Sequence, residues 1–150
     1  MRSIILSFTL LTFSSFALAD LEPWVDYEPS EEVYSVTTVK VKSNMEDAYL
    51  EGLANTWVTG NDVAVKLGHI ESYAIYRSQL SESGDFNLIL LVKFANTDAM
   101  APNKARYEEF IKAFTKKRSD ETSKFAQTNY PAMREITGTY MMREIKLLKK

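Results

Sequence analysis

Cysteine is absent from all 150 residues. That excludes a disulfide framework, a thiolate metal site, a thiol nucleophile and an acylated lipoprotein, so burial alone must hold the fold. Histidine occurs once, at His69, and the acids show no ligand spacing, so no metal site is expected. The five glycines form no Gly-x-Ser-x-Gly elbow, phosphate loop or Rossmann fingerprint. A basic excess is lacking too. With 18 Lys and Arg against 20 Asp and Glu, the net charge of −2 argues against a nucleic-acid partner. No Asn-x-Ser/Thr glycosylation site occurs, which points towards a bacterial envelope rather than a glycosylating secretory route.

One uncharged run is present, at the N-terminus. Met1-Arg2 precedes residues 3–16, which carry no charge, and Ala17-Leu18-Ala19 follows before Asp20. A positive start, an apolar stretch and a small-x-small site read as a signal peptide cut after Ala19. The run is shorter than the ~20 residues of a spanning helix, and no second one follows, so no stable membrane span is expected after cleavage. Cleavage removes Arg2 and no acid, which leaves the chain mildly acidic and, on this reading, exported to the periplasm or medium. Residues 33–150 are then long enough for one core.

Residues 20–32 carry six acids, two prolines and no base, the composition of an extended acidic arm, with Trp24 and Tyr27 as its only aromatic anchors. Val33 to Lys42 alternates as a strand, with Val39 and Val41 on one side and Thr38, Lys40 and Lys42 on the other. Ser43-Asn44 opens a helix whose apolar stripe includes Tyr49, Leu50, Leu53 and Trp57. An interruption is expected at Gly60-Asn61-Asp62 and a stop at Gly68. Residues 70–79 and 86–94 form a hairpin across the turn at residues 81–85. Pro102-Asn103 starts a second helix, with Tyr107, Phe110, Ile111 and Phe114 as its stripe, running to Tyr130-Pro131. Its basic residues Lys112, Lys116, Lys117, Arg118 and Lys124 read as a solvated face. Met133 to Ile145 is the fourth strand, with Ile136, Tyr140 and Met142 expected on one face.

The order β-α-β-β-α-β predicts an α+β, ferredoxin-like domain: a four-stranded antiparallel sheet with two helices on one face. The strand Leu88-Ile89-Leu90-Leu91-Val92 is apolar both ways, so the face away from the helices needs a cover, and a second copy supplies one. The residues carrying this pattern are the strand 33–42, the helix through Trp57 to Leu67, Gly68-His69-Ile70 leading into Tyr73-Ala74-Ile75-Tyr76, the strand 88–94 and the helix 107–114. In this the chain resembles the dimeric α+β barrel superfamily, which includes antibiotic-biosynthesis monooxygenases and stress-responsive barrel proteins. The resemblance implies a homodimer and leaves function unassigned, because members include enzymes, haem binders and proteins of unknown role.

Chemistry rests on few residues. His69 is the candidate catalytic group, as a base or an axial ligand beside a helix stop. Haem-degrading members of the superfamily pair such a histidine with an asparagine and a tryptophan. Here Asn55 and Trp57 lie on one helix and do not match that arrangement, so no cofactor is expected. Trp57, Tyr73, Tyr76, Arg77, Arg134 and Tyr140 are the candidate ligand-binding residues, the rings as platforms and the arginines for an acidic group. The reading that results is an exported, non-catalytic homodimer with a pocket for a small hydrophobic or aromatic ligand. Two others stay open. One is a cofactor-independent oxygenase or isomerase of the α+β barrel type, using His69 or a tyrosine to handle protons. The other is an envelope protein-interaction module that uses the arm around Trp24 and Tyr27.

Overall fold

The computed structural model describes residues 21–80 and 84–148. The expected signal peptide and the centre of the turn at 81–83 lie outside the described residues.

β2 (Val33–Val41) lies at the centre of a four-stranded antiparallel sheet. Its neighbours are β4 (Leu88–Phe94) on one side and β5 (Arg134–Met142) on the other, and β3 (Ser72–Arg77) pairs with β4 at the edge, giving the order β3-β4-β2-β5. This is the interleaving that two βαβ halves produce. A separate two-stranded ribbon joins β1 (Tyr27–Pro29) to β6 (Ile145–Leu147). The acidic segment is thereby zipped onto the end of the chain, and the Leu148 amide donates to the Asp26 carbonyl at 2.8 Å.

Alternation along β2 decides the two faces. Val39 and Val41 are buried against Tyr49, Leu53, Leu88 and Tyr130, with Ile75 and Leu90 packed beside them. Tyr49 and Leu53 come from α1 (Glu46–Leu53), so this is the helix side. Fully burying such side chains stabilises by roughly 1.5–3 kcal/mol each. At the end of β2 the ladder is prolonged by a side chain: Asn87 Oδ1 accepts from the Val41 amide at 2.8 Å, and Asn87 Nδ2 donates to the Val41 carbonyl at 2.9 Å.

Register places Val36 opposite Leu91 and Tyr140, Ile89 opposite Tyr76, and Leu91 opposite Ala74. These residues share the other face, together with Met142. No element of this chain packs there among the described residues, and Tyr76, Tyr140 and Met142 are each more than half exposed.

Three expectations need correcting. Ile136 does not share a face with Tyr140 and Met142: Thr38 pairs with Gly138 but Val39 pairs with Ile136, so a bulge at Thr137 puts Ile136 on the helix side. The first helix is not interrupted at Gly60. It widens earlier, into a π-turn at Ala54–Val58, and resumes as α2 (Thr59–Lys66) straight through Gly60. The cause is local competition for carbonyls: Asn55 donates to Glu51, Thr56 to Gly52, and Asn61 to Trp57. The second helix breaks at Thr115, whose φ of 64° separates α3 (Lys104–Phe114) from α4 (Lys116–Met133). Thr115 then caps α4 by accepting from the Arg118 amide at 3.2 Å. Gly68 ends α2 as expected, at φ 69°.

Candidate functional site

The π-turn matters because it carries Trp57. A widened turn rotates the following side chains, and Trp57 comes to line a cleft where α2, α3 and α4 converge above the end of β5. The cleft is broad and open, about 500 Å³, with Trp57, Phe110, Phe114, Ala126, Tyr130 and Arg134 among its walls. That volume falls within the range of small-molecule sites. Tyr73 backs Trp57 from β3, edge-on with ring centroids 5.2 Å apart. The Tyr73 hydroxyl donates to Asp62 at 2.5 Å, and this bond raises its pKa above the usual phenol range.

Below the cleft lies a ring cluster. Tyr49 meets Tyr130 edge-on at 5.0 Å, and Phe125 meets Tyr130 at 5.8 Å. The Tyr130 hydroxyl bonds the Thr56 hydroxyl at 2.5 Å, and Thr56 also donates to the Gly52 carbonyl. Gly52 lets α1 come close to α4 here: a β-carbon on it would stand 3.0 Å from the Tyr130 ring, which would have to give by a few tenths of an ångström. Arg134, the first residue of β5, places its guanidinium 5.7 Å from the Tyr49 ring centre and 5.3 Å from that of Tyr130. Arg134 Nε is cut off from solvent with no hydrogen-bond partner among the described residues, and the Tyr49 hydroxyl is buried beside it. Burial pushes the Tyr49 phenol up, and the Arg134 charge works against that rise.

The other candidates stand elsewhere. His69 follows Gly68 at the entry to β3, where its Nε2 lies 3.1 Å from the Glu109 carboxylate of α3. It is not among the residues lining the Trp57 cleft; it borders shallow hollows with Asn103 and Arg106 instead. Arg77 is exposed at the end of β3, 3.9 Å from Asp47. Tyr76 and Tyr140 lie on the bare sheet face. Of the sequence candidates, the structure therefore gathers Trp57, Tyr73 and Arg134 at one place and leaves the rest apart. Phe110 and Phe114 were read only as a helix stripe. Their part in the cleft depends on the kink at Thr115, which has no simple sequence signal.

A larger hollow, about 670 Å³, lies by the α3–α4 kink and is lined by Lys117, Arg118 and Glu121 as well as Phe114. Its charged walls are exposed side chains. Among the described residues no group of histidines and acids is placed to hold a metal ion, and no helix is long and apolar enough to cross a membrane.

No protein-family model matches the sequence, and no curated protein matches it. Solved structures do. A NIPSNAP-family protein of unknown function from Agrobacterium tumefaciens is 14% identical, with a TM-score of 0.51 over 81% of this chain and 96% of that one. HapK from Hahella chejuensis is 10% identical, with a TM-score of 0.46 over 75% of this chain and 91% of its own. A dimeric ferredoxin-like protein of unknown function from Bacteroides fragilis is 11% identical, with a TM-score of 0.41 over 81% and 100%. At the level of fold the resemblance drawn from the sequence holds: the chain is a ferredoxin-like α+β protein that shares the fold of the Agrobacterium NIPSNAP-family structure.

Proposed function

We propose that this is an exported homodimer that holds a small apolar or aromatic ligand in the cleft between α2, α3 and α4, without catalysis of its own. The observation that carries the reading is the cleft itself: about 500 Å³ walled by Trp57, Phe110, Phe114 and Tyr130, with one cationic side chain, Arg134, at its edge. Four aromatic walls, with Thr56, Asn61, Ser119, Thr122 and Ser123 between them, suit a ligand with an apolar or aromatic body. His69, the single histidine, is engaged with Glu109 away from these walls.

The dimer is supported by the bare sheet face. Val36, Ala74, Tyr76, Ile89, Leu91, Tyr140 and Met142 lie together there, partly or largely exposed. Covering each would stabilise by about 1 kcal/mol, half the full-burial value, and two-fold symmetry doubles the set. A second copy is the occupant we favour, because a two-fold contact sets one apolar sheet against its like. Lys40 and Glu135, opposite each other in register, put one charge of each sign on the same face. A two-fold axis can then set each against its opposite. Export rests on the leader read from residues 1–19.

A native mass spectrum of residues 20–150, purified without added ligand, tests the reading. A dimer with extra bound mass supports it, and a bare monomer contradicts it.

A second reading has its own observation. Trp24 is 73% exposed on the turn before β1, with Leu21 and Val25 exposed beside it. An exposed tryptophan held on a paired ribbon suits a protein partner. If this ribbon is the docking element, Trp24→Ala abolishes partner capture and leaves the dimer and the cleft intact.

A further inference from the structure

The cleft holds a cation that this chain does not neutralise. Arg134 forms no ion pair with a carboxylate among the described residues, and its Nε is closed off from water without an acceptor. What surrounds it are the Tyr49 and Tyr130 rings, whose faces attract a cation weakly but accept no strong hydrogen bond. A buried guanidinium N–H without an acceptor is costly, and an arginine edge offers two parallel N–H donors to a carboxylate. A buried N–H donor without an acceptor, on a residue of the cleft wall, suits an acceptor that a ligand brings.

From this we infer that the cleft binds a small aromatic monocarboxylate, the carboxylate set against the Arg134 guanidinium and the ring against Trp57 and Phe110. The inference rests on the reading of this cleft as the ligand site. It selects a monoanion because Arg134 is the only cationic side chain lining the cleft among the described residues. A phosphate dianion would bring a second charge with no partner. It selects an aromatic body because four of the lining side chains, Trp57, Phe110, Phe114 and Tyr130, are rings.

The test uses Trp57 as its own reporter. The sequence has two tryptophans, and Trp24→Phe removes the exposed one in the ribbon turn, which does not line the cleft. Sodium phenylacetate, its neutral isostere phenylacetamide, and inorganic phosphate are each titrated while Trp57 emission is followed. Phenylacetate is expected to bind saturably and more tightly than phenylacetamide by roughly tenfold or more, the usual worth of a charge-assisted bond. Arg134→Gln is expected to erase that preference. Should the variant fail to fold, the acid–amide comparison on the parent protein decides alone. Equal binding of acid and amide overturns the inference while leaving the cleft as the ligand site. Phosphate binding as well as phenylacetate overturns the aromatic half. No response to any of the three overturns both the inference and the reading beneath it.

Discussion

The ring of Tyr140 lies across Gly138, two residues earlier on the same strand, so closely that a β-carbon there would stand 2.5 Å from the Tyr140 hydroxyl oxygen. The bulge at Thr137 makes this possible, because it turns both residues to the bare face while Ile136 goes to the other. Thr38 lies opposite Gly138 in register and is buried although it sits on the open side.

Gly138→Ala therefore has to push the Tyr140 ring aside. The ring is half exposed and can swing out, so folding stability should fall by only about 1 kcal/mol. Self-association should suffer more, since Tyr140 belongs to the surface that a second copy would cover. Urea denaturation together with sedimentation velocity separates the two effects. A full loss of folding, or an unchanged dimer, contradicts this account.

Asn87 is a harsher site. Its amide side chain makes both hydrogen bonds to the Val41 backbone in a buried position. Asn87→Ala leaves the Val41 amide and carbonyl without partners, which should cost about 1–3 kcal/mol. A denaturation midpoint within error of the parent would show that water takes over both bonds.

Stability should fall at both ends of the pH range, for different reasons. Lys93 lies 3.1 Å from Glu32 and 2.8 Å from Glu71, and its hydrogen bond holds the Glu32 carboxyl below its ordinary value of 4.5. That contribution is complete above the unfolded value and is lost as pH falls through the folded one. Tyr49 behaves oppositely: burial raises its phenol above 10.0, so its contribution is complete below about pH 10 and is lost as pH climbs through the folded value. Urea midpoints across the range should show Lys93→Met flattening the acid limb and Tyr49→Phe flattening the alkaline one. Unchanged limbs in both variants contradict the assignment.

His69→Ala should cost less than about 1 kcal/mol, because its Glu109 partner is largely exposed. Binding in the Trp57 cleft should be unaffected. A loss of ligand affinity would connect His69 to a site whose lining does not include it.

How much of this was legible in the sequence depended on whether the signal was local. Val39 and Val41 announced their face by simple alternation, and Gly68 marked a helix end because a positive φ suits glycine. The apolar pattern on both sides of Leu88–Val92 already implied a covered second face. The bulge at Thr137 was not legible, since it exists only in the pairing with Thr38 and Val39. The fading of the apolar stripe after Phe114 was visible, but the break at Thr115 is a backbone angle with no residue signature. Trp57 and Arg134 could each be named as candidates. Their meeting at one cleft follows from how the helices dock on β5, which no short window of sequence records.

Leu91, at the middle of the bare sheet face between Val36 and Ala74, is the place to challenge its cover by a second copy. Sedimentation equilibrium of residues 20–150 should give twice the chain mass for the parent protein and a single chain mass for Leu91→Glu, with the circular dichroism spectrum unchanged. A monomeric parent, or a Leu91→Glu variant that remains dimeric, would contradict it.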